Sequence, residues 1–120
     1  MDIQTIKKRR DFIKGNNAPY AAMPSVVIQS YLRTDEVVKT DDSIMMGITC
    51  SKKVGSAVIR NRAKRRLREA GKIILKEIGI KKTNYIFIAR KDTTIKVKFT
   101  DLCNHIEIGI KKIYGQEKGI

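Results

Sequence analysis

The residues from Ser56 to Ile78 constrain the fold more than any other part of the chain. Ile59, Ala63, Leu67, Ala70, Ile74 and Ile78 recur at spacings of 4, 4, 3, 4 and 4. At about 100° per residue that pattern lays all six on one helical stripe. Gly55 precedes the segment, Ser56 is placed to cap it, and Gly79 is placed to stop it. Gly71 weakens such a helix locally without ending it. A long helix with one apolar stripe needs a surface to cover.

The rest of the chain supplies that surface. Ser25 to Arg33 and Ile44 to Ser51 are rich in β-branched and apolar residues and are joined by a polar segment containing Thr40-Asp41-Asp42-Ser43. They read as an antiparallel hairpin. In the first run Val26, Ile28 and Ser30 point one way and Val27, Gln29 and Tyr31 the other, so one face can be core and the other can meet a ligand. Asn84 to Arg90 reads as a third strand. Ile6 to Lys14 reads as a short helix ended by Gly15, Asn16 to Pro24 as a loop, and a last helix begins near Thr100 with Cys103, Ile106, Ile110 and Ile113 on one side. The order α-β-β-α-β-α, with room for an extra short strand, is an α+β sandwich in a single domain spanning residues 1–120.

Charge narrows the function. The chain carries 26 Lys and Arg against 12 Asp and Glu, a formal +14. Between Ser51 and Lys72 stand Lys52, Lys53, Arg60, Arg62, Lys64, Arg65, Arg66, Arg68 and Lys72, with Glu69 as the single acid. On the helix, Asn61, Lys64, Arg65 and Arg68 fall opposite the apolar stripe, while Arg60, Arg62 and Arg66 flank them. Such a face suits phosphate: arginine offers a planar fork, lysine a mobile charge, and asparagine both a donor and an acceptor. Composition alone leaves a solvated basic face, a calmodulin-type target and a membrane-surface helix open, and does not separate RNA from DNA.

Other classes find little support. No apolar run approaches the roughly 18 residues that span a bilayer, and no apolar stretch follows the basic N-terminal segment, so the expectation is a soluble, cytoplasmic protein. Cys50 and Cys103 are far apart and form no CxxC pair, so each reads as a buried reduced thiol rather than a zinc ligand or half of a disulfide. His105 is the one histidine, inside the predicted last helix, and Asp41-Asp42 lies in a turn where neighbouring side chains diverge. These residues make no nuclease site, so no catalytic residue and no protein-bound metal is expected.

The run from Ser51 to Ala70, SKKVGSAVIRNRAKRRLREA, closely resembles the signature of the bacterial ribonuclease P protein subunit, SKK-x-G-x-A-V-x-R-N-R-x-K-R-x-x-R-E. The resemblance extends to Asp11-Phe12 in the N-terminal basic segment, to Tyr85-Ile86-Phe87-Ile88-Ala89-Arg90, and to the closing amphipathic helix. It implies an α/β sandwich with a left-handed βαβ crossover, of the type also seen in a domain of a small-subunit ribosomal protein. It implies a partnership with a catalytic RNA and with precursor tRNA rather than with DNA or a membrane. The reaction implied is removal of the 5′ leader, with Mg²⁺ acting alongside the RNA and no cofactor on the protein alone.

By the same resemblance Lys52, Lys53, Arg60, Asn61, Arg62, Lys64, Arg65 and Arg68 meet the catalytic RNA. The single-stranded leader lies in a cleft between the N-terminal helix and the sheet, where Phe12 matches a family aromatic and Gln29 and Tyr31 share a strand face. Asn16 and Gln29 stand where some members carry aromatics. A generic basic RNA-binding protein with no part in cleavage is the competing reading, and the signature from Lys52 to Glu69 speaks against it.

Overall fold

The computed structural model describes residues 3–33 and 42–117. Asp35, Glu36 and Asp41, part of the acidic segment and its turn, lie outside the described residues. The elements, in order, are β1 (Ile3–Thr5), α1 (Arg9–Gly15), β2 (Tyr20–Ala22), β3 (Val26–Leu32), β4 (Ile44–Thr49), α2 (Ala57–Ile78), β5 (Thr83–Ala89), α3 (Thr93–Lys96) and α4 (Phe99–Glu117). The α+β sandwich expected from sequence is present, with a five-stranded sheet in the order β1-β4-β5-β3-β2.

That order corrects the hairpin expected between Ser25–Arg33 and Ile44–Ser51. β3 and β4 do not pair. β5 lies between them, antiparallel to β3 and parallel to β4. The reason is visible in β5 itself, where Thr83 to Phe87 is buried on both faces. A strand apolar on both sides belongs in the middle of a sheet. Joining the parallel pair β4 and β5 requires a long crossover, and α2 provides it. There are two short edge strands, where the sequence pattern leaves room for one. β1 pairs parallel to β4, and β2 forms a true hairpin with β3 inside the stretch read as loop.

α2 and α4 cover one face of the sheet. Ala63, Leu67, Ala70, Ile74 and Leu75 of α2 and Leu102, Ile106, Ile110 and Ile113 of α4 bury against Val26, Ile28, Ile44, Met46, Tyr85 and Phe87. Ile59 and Ile78, at the two ends of the predicted stripe, are only partly buried. Gly71 is where α2 comes nearest the sheet: a Cβ there would lie 2.6 Å from Phe87 Cε2 and 2.7 Å from Met46 Sδ. Ser56 caps α2 as expected, its Oγ accepting from the Ile59 N–H across 3.4 Å. Both cysteines are free and half-buried.

α1 crosses the opposite face. Gly15 sits so close to Ile86 and Gln29 that a Cβ would fall 2.4 Å from Ile86 Cδ1. Phe12 rests on Gly47 of β4, where a Cβ would meet its ring at 2.6 Å. Two glycines, one in each element, thus let α1 seat directly on the strands.

Candidate nucleic-acid interface

The segment entering α2 is a single 3-10 turn, Lys52–Val54, followed by Gly55 at φ 152°, a conformation open to glycine and rarely to other residues. Val54 is buried and anchors the turn, which leaves Lys52 and Lys53 exposed at the start of the helix. Asn61, Arg62, Arg65 and Arg68 are exposed on α2, while Arg60 and Lys64 are half-buried. Arg60 and Lys64 turn toward the end of β4, where both charges draw the Cys50 thiol downward while burial, the stronger influence, pushes it up. The Nε–H of Arg60 is buried without a hydrogen-bond partner.

Among the described residues none of these eight side chains forms an ion pair; the pairs found are Lys82 with Asp42 and Lys111 with Glu107. The first turn of α2 carries no acid, so the positive end of the helix dipole adds to the side-chain charge. A concentration of cations without acids destabilises the chain that carries it and favours an anionic partner. Val58, 77% exposed, stands among these cations and offers an apolar contact.

Arg66 behaves differently from its neighbours. Its Nη1 donates to the Thr94 carbonyl across 2.9 Å, and its Nη2 donates to the Val97 carbonyl. It docks the α3 turn on α2. Sequence periodicity placed it on the flank of the basic face but held no signal for those carbonyls, which come from residues 28 and 31 positions away.

Phe12, Gln29 and Tyr31 gather around α1. The side-chain amide oxygen of Gln29 is 2.9 Å from where a Gly15 Cβ would be. The Tyr31 hydroxyl donates to the Asp11 carbonyl at 2.7 Å and accepts from Asn84 Nδ2 at 2.9 Å. Arg33 extends the chain, its Nη1 donating to Asn84 Oδ1 at 2.8 Å and its Nη2 to the Ser43 carbonyl at 2.6 Å. Burial pushes the Tyr31 hydroxyl above its ordinary pKa, against the lowering effect of the Asn84 hydrogen bond.

Beyond α1 the same face stays partly open. Strand register sets Thr49, Ile88, Val27 and Ala22 in one row across β4, β5, β3 and β2. The first three are half-buried and Ala22 is exposed. Tyr20 pairs with Gln29, shares its face, and is 68% exposed. Nothing in the sequence marked Tyr20, since a three-residue strand is too short to show alternation. Among the described residues no group of three or more His, Cys, Asp or Glu side chains is placed to hold a metal ion, and no helix is long and apolar enough to cross a membrane.

A sequence-family model described as Ribonuclease P matches residues 3–114. The ribonuclease P protein component of Ruegeria pomeroyi is 37% identical over 112 residues, which cover 93% of this chain and 87% of that one. The ribonuclease P protein component of Caulobacter vibrioides is 41% identical over 93 residues, 78% of this chain, and the match spans 60% of that relative's length. Among solved structures, the RNase P protein of Staphylococcus aureus matches with a TM-score of 0.70 and 30% identity, over 89% of this chain and 92% of that one.

Proposed function

The chain belongs to the ribonuclease P protein family, and from that premise we propose how it serves 5′ processing of tRNA as the protein subunit of the ribonucleoprotein: it binds the catalytic RNA through α2 and the leader of precursor tRNA on the sheet face beside α1. The observation that carries the first half is the outer face of α2, where exposed cations stand without acidic partners among the described residues. Lys52, Lys53, Arg60, Asn61, Arg62, Lys64, Arg65 and Arg68 contact phosphate and ribose of the RNA. The orphan Nε–H of Arg60 suits a phosphate oxygen.

The leader half is supported by the partly open row from Thr49 to Ala22, bordered by the α1 that carries Phe12. Single-stranded RNA uses such surfaces, with apolar and aromatic side chains under the bases and cations at the backbone. In this reading Gln29 and Tyr31 hold α1 at the groove's edge.

In this reading the chemistry and its Mg²⁺ belong to the RNA, and the subunit acts by offsetting phosphate repulsion and aligning substrate. The cytoplasm, where tRNA is made, is the compartment this role requires.

Reconstitution tests the proposal. The protein, combined with a bacterial ribonuclease P RNA and precursor tRNA at low Mg²⁺, is expected to stimulate leader removal. Absence of stimulation, at a salt concentration where the protein demonstrably binds that RNA, overturns it.

A further inference from the structure

The open row on the α1 face has two distinct ends. At β4, Thr49 leads within three residues to Lys52 and the basic entry of α2. At β2 the row ends on Ala22, flanked by Tyr20 on one side and Arg90 on the other. Tyr20 is set by its register with Gln29, and the exposed Arg90 reaches over to donate from Nη1 to the Met23 carbonyl at 2.9 Å. From Thr49 to Ala22 the row crosses three strand spacings, about 14 Å. It is a short strip, with cations at one end and, on either side of Ala22 at the other, an aromatic ring and a guanidinium.

A tyrosine that is 68% exposed at a sheet edge gains nothing for the fold by being aromatic, since the core lies on the other face. The adjacent Ala21, which does face the core, is buried against α4, near Gly109. An exposed planar ring and a guanidinium on either side of Ala22, at the end of a shallow apolar strip, match the chemistry that holds single-stranded nucleic acid, base on ring and phosphate on guanidinium. We infer that Tyr20 is a stacking position for a leader nucleotide remote from the cleavage point, with Arg90 contacting the adjoining phosphate. The inference rests on the leader-groove reading above and gives that groove an outer end.

The polarity follows from the geometry. The cationic end adjoins the face assigned to the catalytic RNA, so the leader enters there and runs outward across β5 and β3 to β2. Only a leader long enough to cross the strip reaches Tyr20.

The experiment uses the reconstituted ribonucleoprotein and a series of precursor tRNAs with leaders of graded length, with mature tRNA as reference. Tyr20→Ala is expected to weaken binding of long-leader substrates about tenfold, leaving short-leader and mature tRNA binding unchanged, while Tyr20→Phe and Tyr20→Trp retain wild-type affinity. Thermal unfolding of Tyr20→Ala at the wild-type midpoint shows that the loss is not misfolding. Equal affinity of Tyr20→Ala and wild type at every length, while wild type still prefers long leaders, overturns the Tyr20 assignment and leaves the groove standing. An equal loss on all substrates, mature tRNA included, also overturns it. A wild-type ribonucleoprotein indifferent to leader length overturns the groove and Tyr20 together.

Discussion

The Tyr31 hydroxyl, on β3, donates to the main-chain carbonyl of Asp11, on α1, across 2.7 Å, so a residue of the sheet holds the helix that crosses it. The same hydroxyl accepts from Asn84 Nδ2, and Asn84 is only 1% exposed. Tyr31→Phe keeps the ring and removes both bonds. A buried amide hydrogen left without an acceptor costs about 1–3 kcal/mol, and that loss is expected in denaturant unfolding of the variant. Amide hydrogen exchange in α1 should accelerate by more than in α4. Unaltered exchange in α1 would show that the Asp11 contact does not hold the helix.

Among the described residues, two thiols and two phenols tie stability to alkaline pH. Burial raises the Cys50 and Cys103 thiols above their ordinary 9.0, with Glu77 adding to the rise at Cys103. Burial likewise raises Tyr31 and Tyr85 above their ordinary 10.0. Each folded group holds its proton more tightly than the unfolded chain does. The stabilisation is therefore complete below the unfolded value and is lost as pH rises through the folded one. Unfolding midpoints are expected to fall from about pH 9 upward through the cysteines and further above about pH 10 through the tyrosines. Because Tyr31→Phe lacks one of these groups, the gap between it and wild type should narrow as pH climbs past 10. A gap that widens would contradict the assigned shift.

Gly71 sets two effects against each other. Alanine is favoured over glycine inside a helix by about 1 kcal/mol. Its Cβ would, however, lie 2.6 Å from the fully buried Phe87 ring, and overpacking of this kind costs about 1–3 kcal/mol. The Met46 thioether can shift aside, but the ring is enclosed. Gly71→Ala is expected to lower the denaturant midpoint despite its better propensity. A raised midpoint would mean that α2 can lift off the sheet at little cost.

Periodicity was a reliable guide where a single element determined the outcome. The α2 stripe, its Ser56 cap and the two faces of β3 all follow from spacing within one segment, and they appear where spacing put them. What lay beyond sequence was pairing between segments. β3 and β4 look like hairpin partners because they are consecutive, yet β5 enters between them since both its faces are apolar. β1 and β2 have three residues each, too few to show a period of two. In the candidate site the signature located the basic helix, while Tyr20 and the Asn84–Tyr31–Asp11 chain depend on contacts between distant segments.

Arg65 and Arg66 are adjacent, chemically identical and assigned opposite work. Arg65 is exposed on the outer face of α2, whereas Arg66 donates to the Thr94 and Val97 carbonyls. Arg65→Ala should leave stability within about 0.5 kcal/mol of wild type. It should also flatten the dependence of log affinity for the RNA on log salt, by about 0.7 to 0.9 for the lost phosphate contact. Arg66→Ala should do the reverse: cost about 1.5–3 kcal/mol, the usual worth of hydrogen bonds from a charged group, and leave the salt slope of the folded protein near wild type. Paired measurement of unfolding free energy and of affinity across a salt series reads both at once. A slope lost in Arg66→Ala and kept in Arg65→Ala would exchange the two roles and move the RNA face around α2 toward α3.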